Sequence, residues 1–570
     1  MSKKFSKWCT LLLVLVLTAS TLAACASKKT TEPIASASAS ATPVVDYFSK
    51  GKFDPPVTIS TMGCTNATMK FKNGETIENN IHTKWAKEKL GIDIKYKWVT
   101  DDAQCTTKLR LALASNEPLP DVMATNDPQL ISELLDSGKL MEIGPAFDKY
   151  ASDFVKSIYK QDPTYWYGVT RDNKKLGFAL LSEAMQNDSV LWLREDWLKT
   201  LNMQAPKNFD ELEQLMEAMM TKNPDGKGTK ITPLTLGFKD GGFQNWMSDG
   251  SWIFGGYGAI PGDWNKWNGG KTLEYGSIQP EVKLALAKLA EWFKKGYISK
   301  DVALHDAIKA SELITSEKAG IIAGPSWMAG WPLNDVTKTN PKASFQPYPL
   351  PAGPTGKVGR QSTKVPYGTL LVSKDFKHID ALMLYLNTLW EGNDPKKGSE
   401  FERGWAENYD YVMIDGKISS LEKDIPGGKV YVPKYFLMNQ PLRDPMLSLN
   451  TTLKFYKGEK PTTPFEIVTY SSATDAEKAD PKLNKNWRAT SIKNDQKNAA
   501  IANLFTAAAT PTMKTKFESM NKLEVETFMK IIYGSAPIDE FDKFVQQWKA
   551  LGGDQITKEV NDWYKSVGGK

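Results

Sequence analysis

A chain of 570 residues with 41% hydrophobic side chains has room for two or three domains with sizeable cores. Its net charge is only +6 at pH 7 and no long Lys/Arg block is present, which excludes the electrostatic footprint of a nucleic-acid binder. The three histidines, His82, His305 and His378, lie far apart, which argues against a histidine-based metal site or catalytic triad.

The chain opens with a basic stretch, MSKKFSKW, then the apolar run LLLVLVL from Leu11 to Leu17. A basic start, a short apolar run and small residues before a cut read as a secretory signal over residues 1–24. The junction Leu22-Ala23-Ala24-Cys25 resembles a bacterial lipobox, in which the cysteine becomes the first mature residue and is lipidated. The other reading is an ordinary signal peptide with an incidental cysteine. Residues 25–50 begin as a Ser/Ala/Thr/Lys/Pro tract with almost nothing to bury, which suits a flexible tether. Cys9 leaves with the signal, so Cys64 and Cys105 remain; in an oxidising exterior they form either one disulfide or two separate thiols. No segment after the leader has the apolar length of a membrane span.

Val57–Met62 reads as a strand ending in the loop GCTNAT. Residues 75–90 carry Ile77, Ile81, Trp85 and Leu90 at helical spacing, and Gly91 suits a left-handed stop. Ile92–Val99 alternates as a strand, Cys105–Ser115 is helical, Pro120–Ala124 is a short buried strand, and Pro128–Ser137 opens another helix. This alternation predicts a parallel sheet with right-handed crossovers. Ligands then sit beyond the carboxyl ends of the strands, at Gly63–Thr68 and Thr125–Asp127.

A second block begins with the strand-like Leu176–Leu193. Asn208 starts a helix in capping-box spacing, and Pro280 to Gly296 bounds a strongly striped one. Further stripes run from Ile379 to Trp390 and from Ile538 to Leu551, and their tryptophans are assigned to packing. Between these helices lie aromatic, glycine-rich stretches at 241–258, 319–331, 359–373 and 401–411. Aromatics beside Gly, Asn and Asp suit a site that stacks a sugar face while amides and carboxylates bond its hydroxyls. The chain holds eighteen Trp, more than a core of this size requires.

The leader, the βαβαβ start, LWLREDWLKTLNM, SEKAGIIAGPSWMAGW and PYGTLLVSKDFKHIDALMLYLNTLW resemble, in that order along the chain, the family-one extracellular solute-binding proteins. These are maltose-binding-like receptors of carbohydrate ABC importers. RGWAENYDYVMIDGK and FMKIIYGSAPIDEFDKFVQQWKALGGDQITKEVNDWY look like the family's large Gram-positive lipoprotein branch. The resemblance implies an α/β, two-lobed, type II periplasmic-binding-protein-like fold. Each lobe is expected to be a mainly parallel sheet flanked by helices, with the hinge crossed more than once. Crossings are expected near Gly177–Met185, near Lys364–Val372 and after about Trp405. The first lobe would hold 51–180 plus about 368–405, and the second about 181–367 plus about 406–570.

By the same resemblance, Asn126 and Asp127 follow the third strand where sugar contacts occur, and Glu183 stands where relatives place a hinge acid. Trp246 and Trp327 match the second lobe's aromatic positions; Asn66, Asp249, Trp331, Tyr367 and Trp405 are further candidate contacts. Arg360, Lys364 and Arg403 lie in suspected cleft loops and leave room for acidic sugars such as uronates. Relatives often carry a calcium loop after the helix near 212–220. Here Lys227 stands at a ligand position and no terminal Glu follows, so no calcium, other metal or cofactor is expected. The implied protein is a monomeric, lipid-anchored receptor outside the cytoplasmic membrane that delivers an oligosaccharide or glycoside to permease subunits. The alternatives are a secreted glycoside hydrolase or lyase, or a receptor feeding a membrane sensor kinase. HExxH, GxSxG and P-loop motifs are absent from the sequence.

Overall fold

The computed structural model describes residues 46–570 apart from 66–68, 240–241, 393, 395–405, 420, 436, 438–441 and 568–570. Cys25, Asn66, Arg403 and Trp405 therefore lie outside the described residues. From Tyr47 onward the chain forms one contact unit, built as two lobes around separate cores.

In the first lobe Val57–Thr65 and Ile92–Asp101 pair in parallel, with Val57 opposite Ile92. The intervening helix starts only at Ile81, later than its apolar spacing predicts. The cause is Asn80, whose side chain accepts from the backbone of His82 and Thr83 in a capping box. Gly91 ends this helical run at φ 68°, as the sequence requires. Val122–Thr125 adjoins the first strand through side chains: Ser60 N and Oγ both donate to Asp121 Oδ2, at 2.8 and 2.6 Å. Pro366–Val372 lies between Val122–Thr125 and Gly177–Leu181 and is antiparallel to both.

The second lobe holds a four-stranded sheet in the order Phe345–Tyr348, Val190–Arg194, Ile321–Gly324, Leu234–Thr235. Both antiparallel pairs here involve Val190–Arg194, and Ile321–Gly324 is parallel to Leu234–Thr235. The sheets are thus mixed, where mainly parallel ones were expected. The reason is topological. Val190–Arg194 and Pro366–Val372 are the strands by which the chain enters a lobe from the hinge, so they run against their neighbours. The expected strand over Leu176–Leu193 is accordingly two strands, one in each lobe.

Periodic helices appear where their stripes place them. Pro280–Lys295 buries Val282, Ala285, Leu286, Leu289 and Trp292 and stops at Gly296, φ 80°. Ile379–Gly392 packs Leu382, Leu386, Leu389 and Trp390 into the first core. Near the C-terminus the helix is Glu540–Trp548, and Leu551 falls beyond it, exposed. Tryptophans on these stripes are buried, so each contributes roughly 1.5–3 kcal/mol or more by burial.

One boundary moves. Val430, Val432, Tyr435, Leu437 and Leu442 belong to the first core, so the third crossing comes after Leu442 and not near Trp405. The 406–442 stretch has no helical period, and only its tertiary packing assigns it. Beyond it, Leu447–Tyr456 packs on Lys485–Asp495 through Phe455 and Trp487, and Pro511–Ile532 completes the second core through Met520, Phe528 and Ile532.

Within that second core, Glu524 is buried and accepts from Tyr275 Oη at 3.0 Å and Ser277 Oγ at 2.7 Å. Burial pushes its pKa up to about 7 from 4.5. A raised carboxyl pKa means that the folded state holds the proton more tightly, so its stabilising contribution is lost as pH rises from about 4.5 through 7. Glu524→Gln cannot ionise. It is expected to be more stable than the wild type above pH 7, by on the order of 2 kcal/mol, and to flatten the pH profile of urea unfolding. An unchanged profile would contradict this.

Candidate functional site

Three chain segments cross between the lobes, and they are tied to one another. Ser182 N donates to Val365 O at 2.7 Å and Ser182 Oγ to Lys364 O at 3.0 Å. Asp188 Oδ1 accepts from Thr363 N and Oγ1, at 2.9 and 2.8 Å. Asp188 Oδ2 pairs with Arg360 Nη2 at 2.8 Å, with both side chains at 0% exposure. The same guanidinium donates to the backbone carbonyls of Gln496 and Lys493. The third crossing joins through Ala184 N, which donates to Pro445 O at 2.8 Å, and through Glu183, which accepts from Arg443 Nη2 and Ser448 Oγ. Arg360 is therefore a structural cation of the hinge and not a cleft charge, since it has no exposed surface to offer a ligand.

Lys493 extends this network toward the second lobe's aromatic loop. Its Nζ donates to Met185 O at 2.8 Å and to Ser326 Oγ at 3.3 Å, and burial pulls its pKa down to about 8. Ser326 immediately precedes Trp327. Sequence reasoning missed Lys493, Arg443 and Ser448, because each acts by long-range contact from a segment whose local pattern signals only a helix or a turn.

Trp246, Trp327 and Trp331 form a stack. Their ring centroids are 5.7 Å (246–327), 6.4 Å (246–331) and 6.4 Å (327–331) apart, with interplanar angles of 28°, 16° and 13°. Trp246 is 38% and Trp331 43% exposed, so the cluster presents open indole surface, unlike the buried tryptophans of the helical stripes. Such surface stacks against the apolar face of a flat ring.

Asp249 positions this loop. It is fully buried and accepts from Ser251 N and Oγ, Ser189 Oγ, Asn245 N and Gln361 Nε2. Burial pushes its pKa up. The expectation that Asp249 contacts a ligand is corrected: five donors occupy its oxygens, and none of its surface is free. Gln361 also donates to Asn245 O at 2.6 Å, which fastens the second crossing directly to the Trp246 loop.

On the first lobe, exposed Asn126 lies beside Gly368: a Cβ built on Gly368 would stand 3.4 Å from Asn126 Cβ. The neighbouring Tyr367 is 54% exposed. Asp127 is instead the N-cap of Pro128–Asp136, accepting from Leu130 N at 2.6 Å, and pairs with Arg110 at 3.2 Å. Its Oδ1 thus caps the helix and holds Arg110, and its side chain stays partly exposed. Cys64 and Cys105 form a disulfide with a Cα–Cα distance of 5.9 Å. It pins the end of the first strand to Asp102–Ala114.

The profile of the bacterial extracellular solute-binding proteins matches residues 70–389. The chain belongs to that family. Among relatives of this solute-binding protein, the polygalacturonan/rhamnogalacturonan-binding protein YtcQ of Bacillus subtilis is 23% identical over 494 residues, 84% of this chain and 87% of its own length. Lipoprotein LipO of the same organism is 21% identical over 491 residues, covering 84% and 87%. Among solved structures, the Streptococcus pneumoniae substrate-binding protein FusA in complex with kestose superposes with a TM-score of 0.61, at 16% identity, over 90% of this chain and 99% of its own. That likeness shows the fold, a two-lobed type II architecture.

The calcium loop that relatives often carry has residues here that do not fit the ion. Asp225 Oδ1 accepts from Lys227 N at 3.0 Å, and Lys227 Nζ pairs with Glu317 Oε1 at 2.8 Å. Glu317 Oε2 is taken by Arg194 and by Asn340. The loop position that should supply an oxygen thus supplies an ammonium, which reaches out to Glu317, and among the described residues no group of three His, Cys, Asp or Glu could hold a metal. The melting temperature of this solute-binding protein is accordingly expected to be the same in millimolar Ca²⁺ and in EDTA. A shift on chelation would show that the loop binds calcium despite Lys227.

Proposed function

We propose that this solute-binding protein captures an oligosaccharide or glycoside between its lobes and delivers it to the permease subunits of an ABC importer, without chemistry. The observation that carries the reading is the open stack of Trp246, Trp327 and Trp331, fastened through Asn245 and Gln361 to the crossing that also carries exposed Tyr367. A ring clamped between the two lobes would favour the closed state, because only that state makes both sets of contacts. Asn126, Tyr367 and the three indoles would make those contacts, with Asn66 and Trp405 as further candidates. The carbohydrate ligands in the names of YtcQ and the FusA complex support the class of solute.

Anchoring follows from the leader. Cys25 would carry the lipid and residues 26–45 the tether, placing a monomeric receptor on the outer face of the cytoplasmic membrane. Membership of an extracellular family and a lipoprotein relative support this. No described helix is long and apolar enough to cross a membrane. Titration of the purified protein with a glycan panel, read by intrinsic tryptophan fluorescence and calorimetry, tests capture. Turnover of chromogenic glycosides would overturn the reading in favour of an enzyme. Mass spectrometry of the membrane-extracted N-terminus tests the anchor, and an unmodified Cys25 in the mature product would refute it.

A further inference from the structure

The second crossing holds a cation whose side chain is exposed. Lys364 lies midway between Gln361, which is bonded to the Trp246 loop, and exposed Tyr367. Its backbone is fixed, because Lys364 O accepts from Ser182 Oγ of the first crossing. Its side chain is exposed, and among the described residues it makes no hydrogen bond or ion pair. Its charge reaches Asp263, a buried carboxyl held by the side chains of Gln244 and Asn503. Gln244 stands two residues before Trp246, and Gln361, three residues before Lys364, is bonded to that same loop, so the crossing brings Lys364 to the side of the Trp246 loop.

The carboxylates nearby are already engaged. Glu183 is paired with Arg443, Asp127 with Arg110, and Asp249 is enclosed by five donors. Arg360, the other cation of this crossing, is consumed by Asp188. A ligand reaching Lys364 therefore meets an exposed ammonium on the crossing bonded to the Trp246 loop, while its carboxylate neighbour Asp263 is buried. That combination suits a pyranose ring carrying a carboxylate.

Resting on the carbohydrate reading above, we propose that Lys364 is a specificity-determining residue and that the solute is an acidic oligosaccharide built from uronate units. The ammonium bonds a ring carboxylate while the indoles stack on the ring face. A carboxylate held this way binds more tightly than its neutral ester by about tenfold or more, the effect of one charge-assisted hydrogen bond.

The test is calorimetry with trigalacturonate and its fully methyl-esterified form, on the mature protein and on Lys364→Gln and Lys364→Arg. Wild type is expected to prefer the acid by about tenfold, with affinity falling as salt rises. Lys364→Gln should bring the acid down to the level of the ester and leave the ester unchanged, and Lys364→Arg should keep most of the preference. Melting temperatures of the variants control for folding, and the exposed side chain makes a folding defect unexpected. Equal loss for acid and ester would assign Lys364 to holding Asp263 and overturn the proposal, as would an acid affinity that Lys364→Gln leaves intact. Binding of neutral glycans from the panel without trigalacturonate would overturn the acidic class alone. Failure of every glycan, acidic or neutral, would overturn the carbohydrate reading beneath it.

Discussion

Arg360→Met is expected to destabilise the protein by about 3–5 kcal/mol, because it leaves Asp188 charged, buried and unpaired at the hinge. The two side chains have no exposed surface, so water cannot replace the lost partner. Asp188 keeps only its bonds to Thr363, and the carbonyls of Gln496 and Lys493 lose their donors. The double variant Asp188→Asn with Arg360→Met should recover part of the loss, since no lone charge then remains. Urea unfolding of the three proteins measures this. A cost below about 1 kcal/mol for Arg360→Met would mean that the pair is solvated and the hinge is held by other contacts. A second consequence concerns the lobes: with one of the ties between the first two crossings lost, ligand affinity should fall even under conditions where the protein remains folded.

Trp327→Ala and Trp246→Ala are each expected to weaken ligand binding by about 10- to 100-fold, the range of a central aromatic anchor. Trp327 lies 5.7 Å from Trp246 and 6.4 Å from Trp331, so its removal breaks the stack at two contacts. Replacement by Phe should keep a ring and lose less. Trp292→Phe provides the contrast. This indole is fully buried and donates to Glu213 Oε1 at 3.0 Å; its loss should lower stability by about 1–3 kcal/mol and leave affinity unchanged. Affinity losses of the same size in all three variants would mean that the stack acts through folding and not through contact. Fluorescence quenching on ligand addition should also shrink in Trp246→Ala, because that indole is among the exposed ones.

The parts of this architecture that are legible in the sequence are those written in local pattern. The stripe from Val282 to Trp292 and its stop at Gly296 define their helix to the residue, because period and left-handed terminus are both local properties. The Gly-rich setting pointed to the open Trp246, Trp327 and Trp331, but it did not separate them from Trp252, which lies in the same stretch as Trp246 and is buried. What stayed hidden depends on distant partners. The sense of Pro366–Val372 is set by its entry from the hinge, and its own side-chain alternation would be the same in either direction. Asp249 and Asp127 carry the residue type of a sugar contact, yet Asp249's oxygens are spent on Ser251, Asn245 and other donors, and one oxygen of Asp127 caps its own helix at Leu130 N. Arg360 looked like a cleft cation until Asp188, 172 residues away, was seen to consume it. Lys364, four positions on, has the same charge and the opposite circumstance.

The interleaving of the lobes also governs how the chain reaches its native state. The first core needs Pro366–Val372, Ile379–Gly392 and Leu442, while the second needs Val190–Arg194 together with Pro511–Ile532 and Trp548. Neither core can close from a contiguous stretch of chain. A nascent polypeptide that has emerged as far as residue 360 holds pieces of both lobes and a finished version of neither. Folding is therefore deferred until nearly the whole sequence is present, and loop closure over hundreds of residues makes it slow. On the export proposed above, that delay would keep the chain threadable until it has crossed the membrane.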